Sequence, residues 1–189
     1  MRKIAVLNLL FFFCLKLHAQ GIIFKDVAEI SRQEYRRHIG HPIFCESLQL
    51  KNGHKIIIKT PARTIVLKDD GEMKQYHYGC EVPGTALFLI HELEPNTEEY
   101  YLINRQKGTI DTLVGYPVFY PDSKMAVCLE GIATDQTQRI QVGEIRNGRF
   151  RTKFFFELKA EIRPGYVFWF DKHTLYLNDN DEKFYKLIF

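Results

Sequence analysis

From Ile43 to the C-terminus the chain offers only short apolar, β-branched or aromatic runs, joined by short connections rich in Gly, Asp, Asn and Pro. Nowhere in that stretch does an apolar stripe of helical period persist long enough to specify a packed helix. Ile56-Ile57-Ile58 and Thr64-Ile65-Val66-Leu67 are two such runs, joined by the compact turn Thr60-Pro61-Ala62-Arg63. Asn52-Gly53 and Asn147-Gly148 are hairpin signals, because both central residues of a type I′ turn need positive φ. Strand-like runs follow at Lys74–Tyr78, Ala86–His91, Glu99–Asn104, Thr109–Val114, Val118–Tyr120 and Lys124–Leu129, then at Arg139–Ile145, Phe150–Leu158, Tyr166–Phe170, Thr174–Asn178 and Lys183–Phe189. Short turn-rich connections favour antiparallel neighbours, and no long helix interrupts them as a parallel βαβ sheet requires. The expected fold is all-β, an antiparallel meander with one short N-terminal helix.

That helix is predicted over Lys25–Ile39. Asp26 can cap it with Glu29 three residues on, Val27, Ile30, Tyr35 and Ile39 form a thin apolar stripe, and Gly40 and Pro42 end it. Ahead of it, a basic tip (Met1-Arg2-Lys3), an apolar run from Ile4 to Leu15 and small Ala19 have the layout of a secretory signal peptide. The expected organisation is therefore a leader at 1–19, an N-terminal helical segment at 20–42 and a single β domain at 43–189.

Export changes the electrostatics. Removing residues 1–19 takes Arg2, Lys3 and Lys16 and no acid, which leaves 23 basic residues against 23 acidic ones. A mature chain near neutrality has no global field to concentrate on nucleic acid, so nucleic acid is not expected as a partner. The apolar run is shorter than the ~20 residues of a membrane span, and no later stretch approaches that length. The expected location is periplasmic or extracellular, where cysteines can oxidise. Of Cys45, Cys80 and Cys128, the pair Cys45–Cys80 is favoured by proximity in sequence; it would close a 36-residue loop, an effect of about 4 kcal/mol in the chain-entropy model. Cys128, inside Met125-Ala126-Val127-Cys128-Leu129, reads as a buried thiol.

The meander also repeats itself. Ala86 to Gly108 and Met125 to Gly148 each read as apolar strand, polar loop, second strand and turn, and Thr174 begins a third copy with a shorter loop. Between the copies, Val118-Phe119-Tyr120-Pro121-Asp122 and Val167-Phe168-Trp169-Phe170-Asp171 share Val, Phe and Asp at an offset of 49. The stretch Pro117-Val118-Phe119-Tyr120-Pro121-Asp122-Ser123-Lys124-Met125-Ala126 resembles the P-x-F-S-P-D-G-K-x-I-A signature of TolB-like periplasmic β-propeller repeats, with Tyr120 for the family's Ser and Ser123 for its Gly. The second copy, Phe170-Asp171-Lys172-His173, keeps the Asp. The resemblance covers about residues 85–189. It implies blades in which this turn links the outermost strand of one blade to the innermost strand of the next, and a role as an interaction platform. At ~40–45 residues per blade the length allows at most four blades. The expectation is a miniature or incomplete propeller, with a β-sandwich built from the same meander units as the alternative.

Catalytic motifs are absent from the sequence: no G-x-S-x-G, P-loop, dinucleotide fingerprint or C-x-x-C. His38-Ile39-Gly40-His41 has H-x-x-H spacing, but Arg36 and Arg37 beside it oppose a divalent cation, so no metal or cofactor is expected. Glu92, Glu94, Glu98 and Glu99 form one acidic loop, and Asp179, Asp181 and Glu182 another. Glycosidic acid–base chemistry would need one carboxyl with a raised pKa in an apolar pocket, and calcium would need a fuller loop of ligands; both segments read as solvated turns. The remaining signal is aromatic. Tyr100, Tyr116, Tyr120 and Trp169 are candidate binding residues, since Tyr and Trp give large contact area at low entropy cost. The functional expectation is an exported, non-catalytic protein that binds another protein in the bacterial envelope, as an accessory, inhibitor or immunity factor. A small-ligand or glycan binder is the alternative, and a hydrolase stands behind both.

Overall fold

A computed structural model describes residues 27–38, 51–52, 54–71, 73–95, 97–131, 137–179 and 183–189. The proposed leader and Cys45 lie outside the described residues. The first elements among the described residues are β1 (Ala28–Ile30) and the short helix α1 (Arg32–His38). A three-stranded sheet follows, built from β2 (Lys51–Asn52), β3 (Lys55–Lys59) and β4 (Thr64–Lys68). Next come a four-stranded sheet of β5 (Gln75–Glu81), β6 (Leu87–Glu94), β7 (Thr97–Asn104) and β8 (Ile110–Leu113), and another of β9 (Pro117–Phe119), β10 (Met125–Leu129), β11 (Arg139–Arg146) and β12 (Arg149–Glu157). The last sheet is β13 (Pro164–Asp171), β14 (Thr174–Asp179) and β15 (Phe184–Ile188), completed by β1 on the edge of β15. Every pairing is antiparallel. The fold is all-β, with one short helix among the described residues.

The sheets pack face to face in chain order, with an apolar cluster between each successive pair. Ile56, Ile58 and Ile65 of the first sheet meet Tyr76, Phe88, Ile90 and Ile103 of the second. The other face of the second sheet, with Leu87, Leu89 and Leu102, meets Phe119, Ala126 and Cys128 of the third. Val127, Ile140, Val142 and Phe156 of the third then meet Val167, Trp169, Leu175, Leu177 and Leu187 of the last. Successive side chains of a strand point to opposite faces, so β6 divides Leu87 and Leu89 from Phe88 and Ile90. β6 and β10 are thus buried on both faces and read as apolar runs, Leu87–Ile90 and Met125–Leu129, whereas β12 keeps Arg149, Arg151 and Lys153 exposed. A two-sheet sandwich does not describe this arrangement; four sheets are present among the described residues.

The helix starts later than the local pattern predicts. Ala28–Ile30 pairs with Phe184–Lys186 as a strand, and the cap is Ser31, whose Oγ accepts from the Glu34 amide at 3.1 Å. Ser31-Arg32-Gln33-Glu34 is itself a capping-box sequence, one that the Asp26–Glu29 reading passed over. Tyr35 anchors α1 on the last sheet, packed on Phe168, Tyr176 and Phe184.

Two turns carry the internal repetition. In the β9–β10 turn the Asp122 carboxylate accepts from the Lys124 amide at 2.9 Å, and in the β13–β14 turn Asp171 accepts from the His173 amide at 2.7 Å. Ser123 has φ +53°, a left-handed conformation in which glycine carries no steric penalty. Both turns join the first and second strands of one sheet, so the Pro-Asp turn is an intra-sheet hairpin and not the sheet-to-sheet link that the resemblance implied. Asn147 and Gly148 both have positive φ and close the β11–β12 hairpin, as their sequence predicts. Cys128 is the free cysteine among the described residues, and burial pushes its thiol pKa up. Cys80 is buried and is not a free thiol.

Candidate binding face

The four aromatic residues singled out from sequence separate into two pairs. Tyr120 and Trp169 meet edge-to-face between the third and last sheets, centroids 5.6 Å apart. Trp169 is only 7% exposed, and its indole N–H donates to the Val118 carbonyl at 2.8 Å. Trp169 shares strand parity with inward-facing Val167 and belongs to the core between these sheets, and Tyr120 is partly buried against it.

Tyr100 and Tyr116 form the second pair, centroids 5.9 Å apart. The His91 ring stacks on Tyr100 at 4.6 Å, His77 lies across the strand from His91, and the Tyr100 hydroxyl donates to Glu98 at 2.9 Å. His91 Nε2 lies 3.5 Å from Glu98 Oε2, an ion-pair separation too long for a good hydrogen bond, and Nε2 is buried without a hydrogen-bond partner. Burial lowers the His91 pKa, opposed by Glu98 and reinforced by His77. His91 therefore stays neutral to lower pH in the fold than in the unfolded chain. Its contribution to stability is present above the unfolded imidazole pKa, about 6.5, and is lost as pH falls through that value toward the lowered folded one. The urea midpoint is expected to drop from pH 7 to pH 5 more steeply in the parent than in His91→Phe; equal slopes would remove His91 from this account.

The acidic loop divides in the same way. Glu92 is buried, with Lys74 Nζ at 2.7 Å and the Tyr101 hydroxyl donating to it at 3.2 Å. Burial alone would raise its pKa, but the hydrogen bonds from Lys74 and Tyr76 dominate and hold it below the usual carboxylate range. A carboxylate kept ionised in this way cannot serve as the proton donor of a glycosidase. Asp179 accepts from the Lys183 amide and the Tyr185 hydroxyl, so it works as a turn anchor; residues 180–182 lie outside the described residues. His41 does too, and among the described residues no group of three or more His, Cys, Asp or Glu could hold a metal ion.

A larger aromatic surface lies elsewhere. With Val167 and Trp169 turned inward, β13 presents Tyr166, Phe168 and Phe170 on the outward face of the last sheet. Tyr166 is 63% exposed, Phe170 41% and, at the end of β15, Ile188 57%. Tyr166 stacks on Phe168, and Phe170 meets Tyr176 edge-on. Helix α1 covers the middle of this face through Tyr35 and leaves Tyr166 and Phe170 at its margin. Alternation could not reveal this surface in the sequence, since Tyr166–Phe170 is apolar on both faces. Comparison with protein-family models, curated proteins and solved structures returned no match for this chain. No helix among the described residues is long and apolar enough to cross a membrane.

Proposed function

We propose that this chain is an exported, non-catalytic β protein of the bacterial envelope that binds a protein partner through the outward face of its last sheet. The observation that carries the reading is Tyr166, Phe170 and Ile188, three large apolar side chains exposed on one sheet face. Interface cores are enriched in Tyr and Phe, and a rigid sheet presents such anchors at low entropy cost. A stack of meander sheets whose N-terminal strand completes the last one fits a propeller-like platform of the TolB-like kind, and in an oxidising compartment Cys80 pairs with Cys45.

The test is retention of an envelope protein by the purified parent, by Tyr166→Ser/Phe170→Ser, and by Ile57→Ser/Val66→Ser at the opposite end of the stack. Loss of at least tenfold in affinity in the first variant alone, about 1.4 kcal/mol, is expected; equal retention by all three, or by none, overturns the reading. N-terminal sequencing of the envelope fraction and a non-reduced digest test export and the Cys45–Cys80 pair. A small-ligand or glycan site is the second reading, favoured by the His91–Tyr100 stack beside Glu98 and half-exposed Tyr116.

A further inference from the structure

At the opposite end of the stack, the first sheet also has an outward face. Ile56, Ile58 and Ile65 point inward, so Lys55, Ile57 and Lys59 of β3 and Thr64, Val66 and Lys68 of β4 point outward, and all six are exposed. Ile57 and Val66 are directly opposite each other at the centre, 40% and 56% exposed. Lys55 and Lys68 are directly opposite each other beside them, and Lys59 lies at the far end. No carboxylate lies on this face of the two strands.

The arrangement is costly for the fold alone, because like charges directly opposite across a strand pair destabilise it. Lysines often guard edge strands, but Lys55 lies between β2 and β4, opposite both Asn52 and Lys68, so that role does not account for Lys55. An external anion does. The residue types separate two kinds of occupant. Protein interfaces are depleted in Lys and enriched in aromatic residues and Arg, which matches the Tyr166/Phe170 face and not this one. Lysine is a hydrated point charge on a flexible stem, suited to a diffuse negative surface into which Ile57 and Val66 could dip. The overall neutrality of the mature chain is no objection, since attraction to a charged surface acts within about a Debye length.

We propose that the outward face of the first sheet, through Lys55, Lys59 and Lys68 around Ile57 and Val66, docks on an anionic lipid surface. Each lysine near such a surface strengthens binding about fivefold, so the three together supply about a hundredfold. The experiment uses the protein as the producing cell matures it, sedimented with phosphatidylglycerol/phosphatidylcholine vesicles, with phosphatidylcholine vesicles, and challenged with polyglutamate. The parent is expected to bind the anionic vesicles, less so as salt is raised, and Lys55→Gln/Lys59→Gln/Lys68→Gln to bind them about a hundredfold more weakly with a melting temperature no lower than the parent's, since the opposed Lys55–Lys68 charges are gone. Tyr166→Ser/Phe170→Ser should bind vesicles as the parent does. Absence of vesicle binding, equal binding by the triple variant, or preference for polyglutamate, which would mark an acidic protein partner, overturns the proposal.

Discussion

Gly115→Ala is expected to destabilise the protein by about 3 kcal/mol or more, at the upper end of what overpacking costs. Gly115 lies where the chain leaves β8 of the second sheet and enters β9 of the third. A Cβ there would sit 1.8 Å from the Leu129 carbonyl oxygen and 2.6 Å from its carbon. Those are backbone atoms of β10, the strand paired with β9, so no side chain can rotate out of the way. Relief requires either the crossover to shift or the third sheet to move off the second, which would open the cluster around Phe119 and Cys128. The contrast is Gly131→Ala, where nothing lies within 4 Å of the added carbon; it should change stability by less than about 0.5 kcal/mol or raise it slightly through the unfolded chain. Urea unfolding of both variants measures the difference. A Gly115→Ala protein as stable as Gly131→Ala would mean that the approach of Gly115 to Leu129 is not as described.

How much of this architecture the sequence could disclose depends on the range of the forces involved. Ile56–Ile58, Thr64–Leu67 and the runs after Ala86 specify strands through residue type and bounding turns, both local properties, and the structure places strands there. Asn147-Gly148 states its turn outright because positive φ at both residues has few other solutions. Capping is also local, yet here two capping pairs compete, Asp26 with Glu29 and Ser31 with Glu34. The decision came from β1 pairing with β15, a contact between opposite ends of the chain that no window of neighbouring residues contains. The exposed aromatic face of the last sheet was hidden for a related reason. Period-2 alternation marks the wet face of a strand only when one side is polar, and Tyr166–Phe170 carries bulky apolar groups on both. Which side meets solvent depends on β13 belonging to the last sheet of the stack, and stacking order is a property of the whole fold. Trp169 looked like an anchor because Trp is often one; its parity with Val167 turns it inward.

That inward position sets the largest side-chain effect expected in the molecule. Trp169→Ala should cost about 4 kcal/mol, within the range for deleting a buried aromatic ring. The ring joins four partners at once: Tyr120 edge-on, Phe189 at 6.3 Å, the apolar cluster between the third and last sheets, and the Val118 carbonyl. Trp169→Phe separates packing from polarity. It keeps most of the apolar volume but leaves the Val118 oxygen without the indole donor, a loss of about 1–2 kcal/mol for a buried acceptor. The two variants together therefore predict an ordering in denaturant midpoint of parent, Trp169→Phe, Trp169→Ala, with the larger gap between the second and third. The last sheet should also loosen first in Trp169→Ala, so hydrogen exchange should accelerate in β13 and β14 before it does in β6 and β7, whose own clusters are intact. Uniform acceleration across all four sheets would show instead that the stack unfolds as one unit and that the Trp169 joint does not separate its last layer.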